Sequence, residues 1–208
     1  MAKSIETYNS ESSIEYAERA LKLGIKAIKA IEKGLWEGMK VVGDRFDDGE
    51  IFLPDVLLAV NAMNSAVNVL LSSSDRDVLL RGTVVIGSAQ GDIHTIGKDI
   101  VASMLSAAGF RVYDLGADVQ ADKLVNKAKE VGAEIVACSA LMLTTMLRQR
   151  EIPKILGEEG LELKVMVGGG SVTRNWAEEI KAHYADSASN AVKLAMELVR
   201  SVEGDAIG

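Results

Sequence analysis

The chain has 208 residues, 48% of them hydrophobic, enough for a real core in one or two domains and against global disorder. Its net charge of −7 argues against a broad nucleic-acid surface, which needs clustered Lys and Arg, and its single cysteine, Cys138, excludes an intrachain disulfide framework or a thiolate zinc site. The N-terminus is polar, without a signal-peptide core, and no apolar run reaches the ~18 residues of a membrane span, so a cytoplasmic protein is expected.

Residues 1–75 read as helical. Ser12-x-x-Glu15 is read as a capping box before a helix over Ile14 to Leu23, stopped by Gly24. From Ile25 to Phe46, apolar residues at Ile28, Ile31, Leu35, Met39, Val42 and Phe46 recur at spacings of three and four, making one helix face. Gly34, Gly38 and Gly43 on that helix cost stability, and close helix packing is the expected compensation. Asp47-Asp48-Gly49-Glu50 is a turn. Pro54 opens the next helix, with Leu57, Val60, Met63, Val67 and Leu70 on one face. Short connections imply antiparallel neighbours, hence a small bundle. Ser72 to Asp77 is polar and small and begins a linker, placed at 76–81.

From residue 82 to 208 the pattern becomes strand, loop, helix, five times over. The predicted strands are Thr83 to Ser88, Arg111 to Leu115, Glu134 to Ser139, Lys164 to Val167 and His183 to Asp186, with Lys98 to Ala108 and about Ser189 to Ser201 among the helices. Such alternation predicts an α/β domain with a five-stranded parallel sheet, flavodoxin-like (Rossmann-type) in order 2-1-3-4-5, behind an N-terminal helical bundle. Pro153 requires the helix after strand three to kink or start late, and Glu203 to Gly208 reads as a loose tail.

Ligands of such sheets sit at the carboxyl ends of the strands. Three loops meet that condition: Gly91-Asp92-Ile93-His94-Thr95-Ile96-Gly97 after strand one, Ser139-Ala140-Leu141 at the end of strand three, and Gly168-Gly169-Gly170 at the end of strand four. Order 2-1-3-4-5 brings them to one edge. Gly91 and Gly97 allow close backbone approach to a bulky ligand. His94 is the natural metal ligand, Asp92 can fix its tautomer, and Ser139 can hydrogen-bond Asp92 in turn. A His-Asp-Ser relay also suits a hydrolase, but Ser139 lacks the Gly-x-Ser-x-Gly elbow. Cys138 is expected buried in strand three, and His183 is given no role.

Asp-x-His-x-x-Gly, Ser-x-Leu and the glycine triplet at these intervals resemble the cobalamin-binding module of methionine synthase and of corrinoid methyl-carrier proteins. Gly38-Met39, Val42-Gly43-Asp44 and Phe46 through Pro54 resemble the helical cap of methionine synthase. The resemblance implies that His94 displaces the dimethylbenzimidazole of cobalamin and binds cobalt from below, with Asp92 and Ser139 as its relay. It implies that Gly168, Gly169, Gly170 and Ser139 line a slot for the freed nucleotide tail, which Ala188 helps to close. The rest of the first loop (Gly91, Ile93, Thr95, Gly97) and Leu141 would contact the corrinoid, and Phe46 and Leu53 would shelter the cobalt-bound methyl. Leu143 stands where methionine synthase has a hydroxyl residue. Thr144 and Thr145 follow, as in the methyl-carrier branch; the hydroxyl of either could reach the corrin or its tail, and Thr145 is counted among the cofactor-binding residues.

The resemblance implies a corrinoid subunit, non-catalytic alone, that carries methyl as methylcobalamin and cob(I)alamin. It would pass methyl from a donor-specific methyltransferase to a tetrahydrofolate-type methyltransferase, with an ATP-dependent reductive activator as third partner and neither nucleic acid nor membrane involved. Methylamines, methanol, betaines and methoxylated aromatics are open as donors, with general resemblance leaning to O-demethylation. The alternatives are a B12-dependent mutase subunit, which should lack the Phe46 to Pro54 cap, and a B12 sensor, which uses a bundle histidine absent from residues 1–80 here.

Overall fold

The computed structural model describes residues 1–71 and 81–205. The expected linker from Ser72 onward lies outside the described residues, apart from Arg81. The chain forms two compact units, Met1–Leu80 with Ser106–Gly109, and Arg81–Leu105 with Phe110–Gly208.

The first unit is all helix: α1 (Ala2–Glu6), α2 (Ser10–Lys22), α3 (Ala27–Ala30), a π-turn (Ile31–Leu35), α4 (Trp36–Asp47) and α5 (Leu53–Leu70). The cap of α2 is Asn9, whose Oδ1 accepts from Ser12 N at 2.8 Å, so Ser12 lies inside the helix and the expected capping box does not form. Gly24 ends this region at φ +68, with Ile25 N donating to Ala20 O, as expected of a helix stop. The π-turn breaks the long helix expected over Ile25 to Phe46. Its extra residue rotates the apolar face, which is why Ile31, Leu35, Met39 and Val42 are buried while Ile28 is 48% exposed. A Cβ on Gly38 would lie 2.5 Å from Ala2 O, so that glycine is what lets α1 pack closely on α4. On α5 the buried face is Val56, Ala59, Val60, Met63, Ala66 and Leu70. Leu57, expected on that face, is exposed. By length and composition alone α5 could cross a bilayer, but it packs along α2 with this face in the bundle core.

The second unit holds β1 (Thr83–Ser88), α6 (Ile96–Ala107), β2 (Arg111–Asp114), α7 (Ala121–Val131), β3 (Ile135–Ser139), α8 (Leu143–Met146), a 3-10 turn (Leu147–Arg150), α9 (Glu151–Glu159), β4 (Lys164–Gly168), α10 (Arg174–Glu179), β5 (His183–Tyr184) and α11 (Ala188–Asp205). The sheet is parallel in order β2-β1-β3-β4-β5, the order expected. Its three central strands, β1, β3 and β4, are buried on both faces, hence their largely unbroken apolar runs, while the edge strands β2 and β5 are more exposed. Val85, Val136, Cys138, Val165 and Val167 join one core with Leu124 and Val125 of α7, Ile152 and Leu156 of α9, and Trp176 of α10. The element containing Pro153 starts late: α8 and the 3-10 turn come first, and Pro153 falls in the first turn of α9, where its missing N–H costs nothing. Of the expected loose tail from Glu203 to Gly208, the part up to Asp205 continues α11, and the last three residues lie outside the described residues. Lys98, nearly fully buried, donates to Asp99 and Asp114 and ties α6 to the end of β2. Register aligns Ser88, Ser139 and Gly168 at the carboxyl ends of the three central strands. The loops that follow them are therefore neighbours.

Candidate corrinoid site

The centre of this edge is Asp92, whose side chain is fully buried. Burial alone would raise its pKa. The hydrogen bonds from Thr145, from Leu141 N and from His94 outweigh burial and hold it well below the usual carboxylate range. Oδ1 accepts from His94 N at 3.0 Å and pairs with His94 Nδ1 at 2.8 Å. Oδ2 accepts from Leu141 N at 2.7 Å and Thr145 Oγ1 at 2.6 Å. Thr145 Oγ1 also lies 2.9 Å from Met142 O. A hydroxyl has one proton, and the shorter bond to a charged acceptor takes it.

An ionised carboxylate can only accept, so His94 Nδ1 carries the ring proton. In the neutral ring this leaves Nε2 with its lone pair. No hydrogen bond engages Nε2 among the described residues, and the side chain is 48% exposed. A neutral imidazole with a fixed tautomer and an open nitrogen is a ready metal ligand. On the loops after β1 and β3 and at the first residues of α6 and α8, apolar side chains are exposed: Ile93, Ile96, Leu141 and Leu143, the last 69% exposed. Exposed apolar side chains on these loops, together with one metal-binding nitrogen, suit a flat, largely apolar macrocycle that brings its own metal. No group of His, Cys, Asp and Glu among the described residues could hold a bare ion.

Ser139 is not a partner of Asp92. Its backbone O accepts from Ala89 N, and the place in the relay expected for Ser139 is taken by Thr145. The reason is reach: Ser139 still belongs to the strand, whereas α8 turns Thr145 back toward Asp92, with Oγ1 also accepting from Met142 N at 3.3 Å. Sequence reasoning also missed Gln149, fully buried, whose Nε2 donates to Cys138 O at 2.8 Å and whose Oε1 accepts from Trp176 Nε1 at 3.1 Å. It fastens the 3-10 turn beneath the end of β3. A polar residue in an apparent helix gave no signal of this.

The remaining site residues fall as follows. Gly91 is exposed at φ +84, with Thr145 Cγ2 3.7 Å from its Cβ position; Thr95 is partly buried; Gly97, in the first turn of α6, faces open space. At φ +117, a Cβ on Gly169 would meet Ala140 O at 2.2 Å. One on Gly168 would meet Ala185 O at 2.7 Å, and one on Gly170 would meet Leu141 Cδ1 at 2.7 Å. Gly169 and Gly170 therefore let the β4 loop pack against the β3 loop, and Gly168 lets the end of β4 pack against the segment after β5. Ala188 is buried at the start of α11. Cys138 is buried as expected, its thiol pushed up to about 12 by burial first and by the Asp92 charge second. His183 is depressed by burial and by Lys164. Phe46 and Leu53 belong to the other unit, each partly buried, on either side of the turn joining α4 to α5.

A family model for the B12 binding domain matches residues 82–193, and a second B12 binding domain model matches residues 1–71. The chain belongs to the B12-binding corrinoid proteins. Its cofactor is a cobalamin, and the arrangement about His94 fits one. Over 194 residues this corrinoid protein is 48% identical to trimethylamine corrinoid protein 1 of Methanosarcina acetivorans, covering 90% of each chain. It is 42% identical over 204 residues to dimethylamine corrinoid protein 2 of the same organism, covering 96% of this chain and 94% of that one. Among solved structures it resembles the methanol:cobalamin methyltransferase complex MtaBC of Methanosarcina barkeri, with TM-score 0.77, 32% identity, and coverage of 96% of this chain and 78% of that one.

Proposed function

We propose that the protein is a cytoplasmic carrier that takes a methyl group from a methylamine, trimethylamine or dimethylamine, and delivers it to a second methyltransferase. The observation that carries this reading is the buried Asp92 that fixes His94 with Nε2 open at the strand ends. The donor rests on similarity to the tri- and dimethylamine corrinoid proteins and replaces the O-demethylation toward which the sequence leans. Bound cobalamin supplies a cobalt centre that accepts the methyl group and gives it up. The chain's own residues do the rest. His94 Nε2 would hold the cobalt, with Asp92 keeping the ring proton on Nδ1. Thr145 and Leu141 N keep Asp92 ionised and oriented. Gly91, Ile93, Thr95, Gly97 and Leu141 would contact the corrin ring. Ser139, the glycine triplet and Ala188 would line the path of the nucleotide tail, and Phe46 and Leu53 would keep water from the methyl.

The partners of this reading are a donor-specific methyltransferase, an acceptor methyltransferase of tetrahydrofolate type, and an ATP-dependent reductive activator. The B12-binding match over residues 1–71 favours a carrier over a mutase subunit, for which no cap is expected. Protein reconstituted with cobalamin and supplied with the methyltransferases encoded beside it tests the donor. Methylation from trimethylamine or dimethylamine is expected, and methylation only from methanol, a betaine or a methoxyarene refutes this assignment.

A further inference from the structure

The loop joining β2 to α7 runs alongside the His94 loop. Ser88 N donates to Gly116 O, Val119 N donates to Ser88 O, and Ala89 and Val119 form a parallel bridge. At its tip stands Asp118, one of the non-glycine residues with positive φ, at 54°. Asp and Asn tolerate this left-handed conformation better than other side chains, and such an outlier calls for a function. Asp118 uses it to grip the first loop twice. Its backbone N donates to Asp92 O at 3.0 Å, and its carboxylate Oδ1 accepts from Gly91 N at 2.7 Å. One residue thus closes a ring across Gly91-Asp92, two residues before the histidine.

Gly91, at φ +84 and exposed, is where this loop would otherwise bend most freely. A ligand must be held to within about half an ångström to be useful, and Asp92 can aim the imidazole only if its own backbone is fixed. The opposite side of the loop is already secured, since Ser88 Oγ donates to His94 O at 2.8 Å. We propose that Asp118 is a positioning residue for His94: a left-handed latch from the β2–α7 loop that fixes Gly91-Asp92 and thereby the direction of the imidazole. Among the described residues no hydrogen bond joins it to the imidazole, so it acts through Gly91 and Asp92. The proposal rests on His94 being the lower cobalt ligand.

Three variants of the full chain separate the parts of the latch. Asp118→Asn keeps an acceptor and the left-handed conformation, Asp118→Gly keeps only the conformation, and Asp118→Ala keeps neither. In the apo protein, amide exchange at Gly91 should quicken in Asp118→Gly and Asp118→Ala and stay near wild type in Asp118→Asn. After loading with cobalamin and reduction to Co(II), histidine nitrogen splitting in the EPR spectrum reports ligation. The equilibrium for imidazole binding should fall roughly tenfold in Asp118→Gly and Asp118→Ala, the usual size for loss of a supporting group, and recover in Asp118→Asn. Wild-type exchange and ligation in Asp118→Gly overturn the latch even if Asp118→Ala folds poorly. Loss in Asp118→Asn equal to that in Asp118→Ala overturns it as well. Absence of a histidine signal from the loaded wild type is a different result: it removes the ligand reading, and the latch falls with it.

Discussion

Asp92 shows how one buried charge can organise a site. Each of its oxygens is served twice, and the net effect overcomes a burial that would otherwise neutralise it. Removing one donor leaves a buried lone pair unpaired, which for a charged group costs about 1.5–3 kcal/mol. Thr145→Val, nearly the same shape without the hydroxyl, should lose stability on that scale in urea unfolding of the apo protein and should weaken histidine ligation in the loaded one. Thr145→Ser should restore both. Ser139→Ala should change stability by less than about 0.5 kcal/mol, because Ser139 does not touch the carboxylate; a large loss there with a silent Thr145→Val would return the relay to Ser139. Cys138 offers a pH test. Above its ordinary value of 9.0 the unfolded thiol gives up its proton, while the folded one keeps it up to about 12. Between those values this thiol makes the fold less stable as pH rises, at up to about 1.4 kcal/mol per pH unit. The deficit of Cys138→Ala, a small cavity at pH 7.5, should therefore shrink by about 1 kcal/mol at pH 10. An unchanged deficit would show that the buried thiol ionises freely.

At the scale of elements, the glycine triplet has a second role beside the one the resemblance implies. Gly169 leaves no room for a side chain because Ala140 O already occupies the position, and its φ of +117 strains any other residue. Gly169→Ala should destabilise the apo protein by about 3 kcal/mol or more in urea, before any cofactor is present. Gly97 is the contrasting case. Nothing lies within 4 Å of its Cβ position, and it stands in a helix, so Gly97→Ala should leave the apo fold unharmed or up to about 1 kcal/mol more stable. If the cofactor needs that space, cobalamin binding weakens nonetheless; undiminished binding assigns Gly97 to the helix turn alone. The contrast also marks what the sequence makes legible. Strand β1 is legible to the residue and the strand order follows from alternation, because buried parallel strands are written as β-branched runs. Asp92 and His94 are neighbours in sequence, so their pairing could be expected. Thr145 meets Asp92 only because a four-residue helix turns it back. The π-turn at Ile31–Leu35 misleads the helical reading in the same way, since a single extra residue leaves composition unchanged and rotates every later side chain.

For the molecule as a whole, the carrier reading sets two requirements in conflict: the methyl must be sheltered between partners and exposed to each of them in turn. Chains that work this way resolve the conflict by moving a cover. The residues proposed for the cover, Phe46 and Leu53, flank a short turn in the helical unit that is itself well held. Gly49 sits there at φ +72, Arg45 Nε pairs with Glu50 Oε2 at 3.3 Å, and Asp55 Oδ2 accepts from Phe52 N at 2.9 Å to start α5. A rigid turn carrying apolar side chains that its own bundle buries only in part is suited to covering something else. Packing and covering then make separable demands on Phe46. As a packing residue, Phe46→Ala should cost the apo protein only about 1 kcal/mol, since the ring is partly exposed. As a covering residue, its loss should open an escape route for the methyl radical and quicken photolysis of the methylcobalamin-loaded protein, with Leu53→Ala acting in the same direction and the double variant further still. Photolysis rates equal to wild type in all three, together with a stability loss of about 3 kcal/mol or more for Phe46→Ala, would place the ring in the bundle core and leave the methyl to be sheltered by other groups.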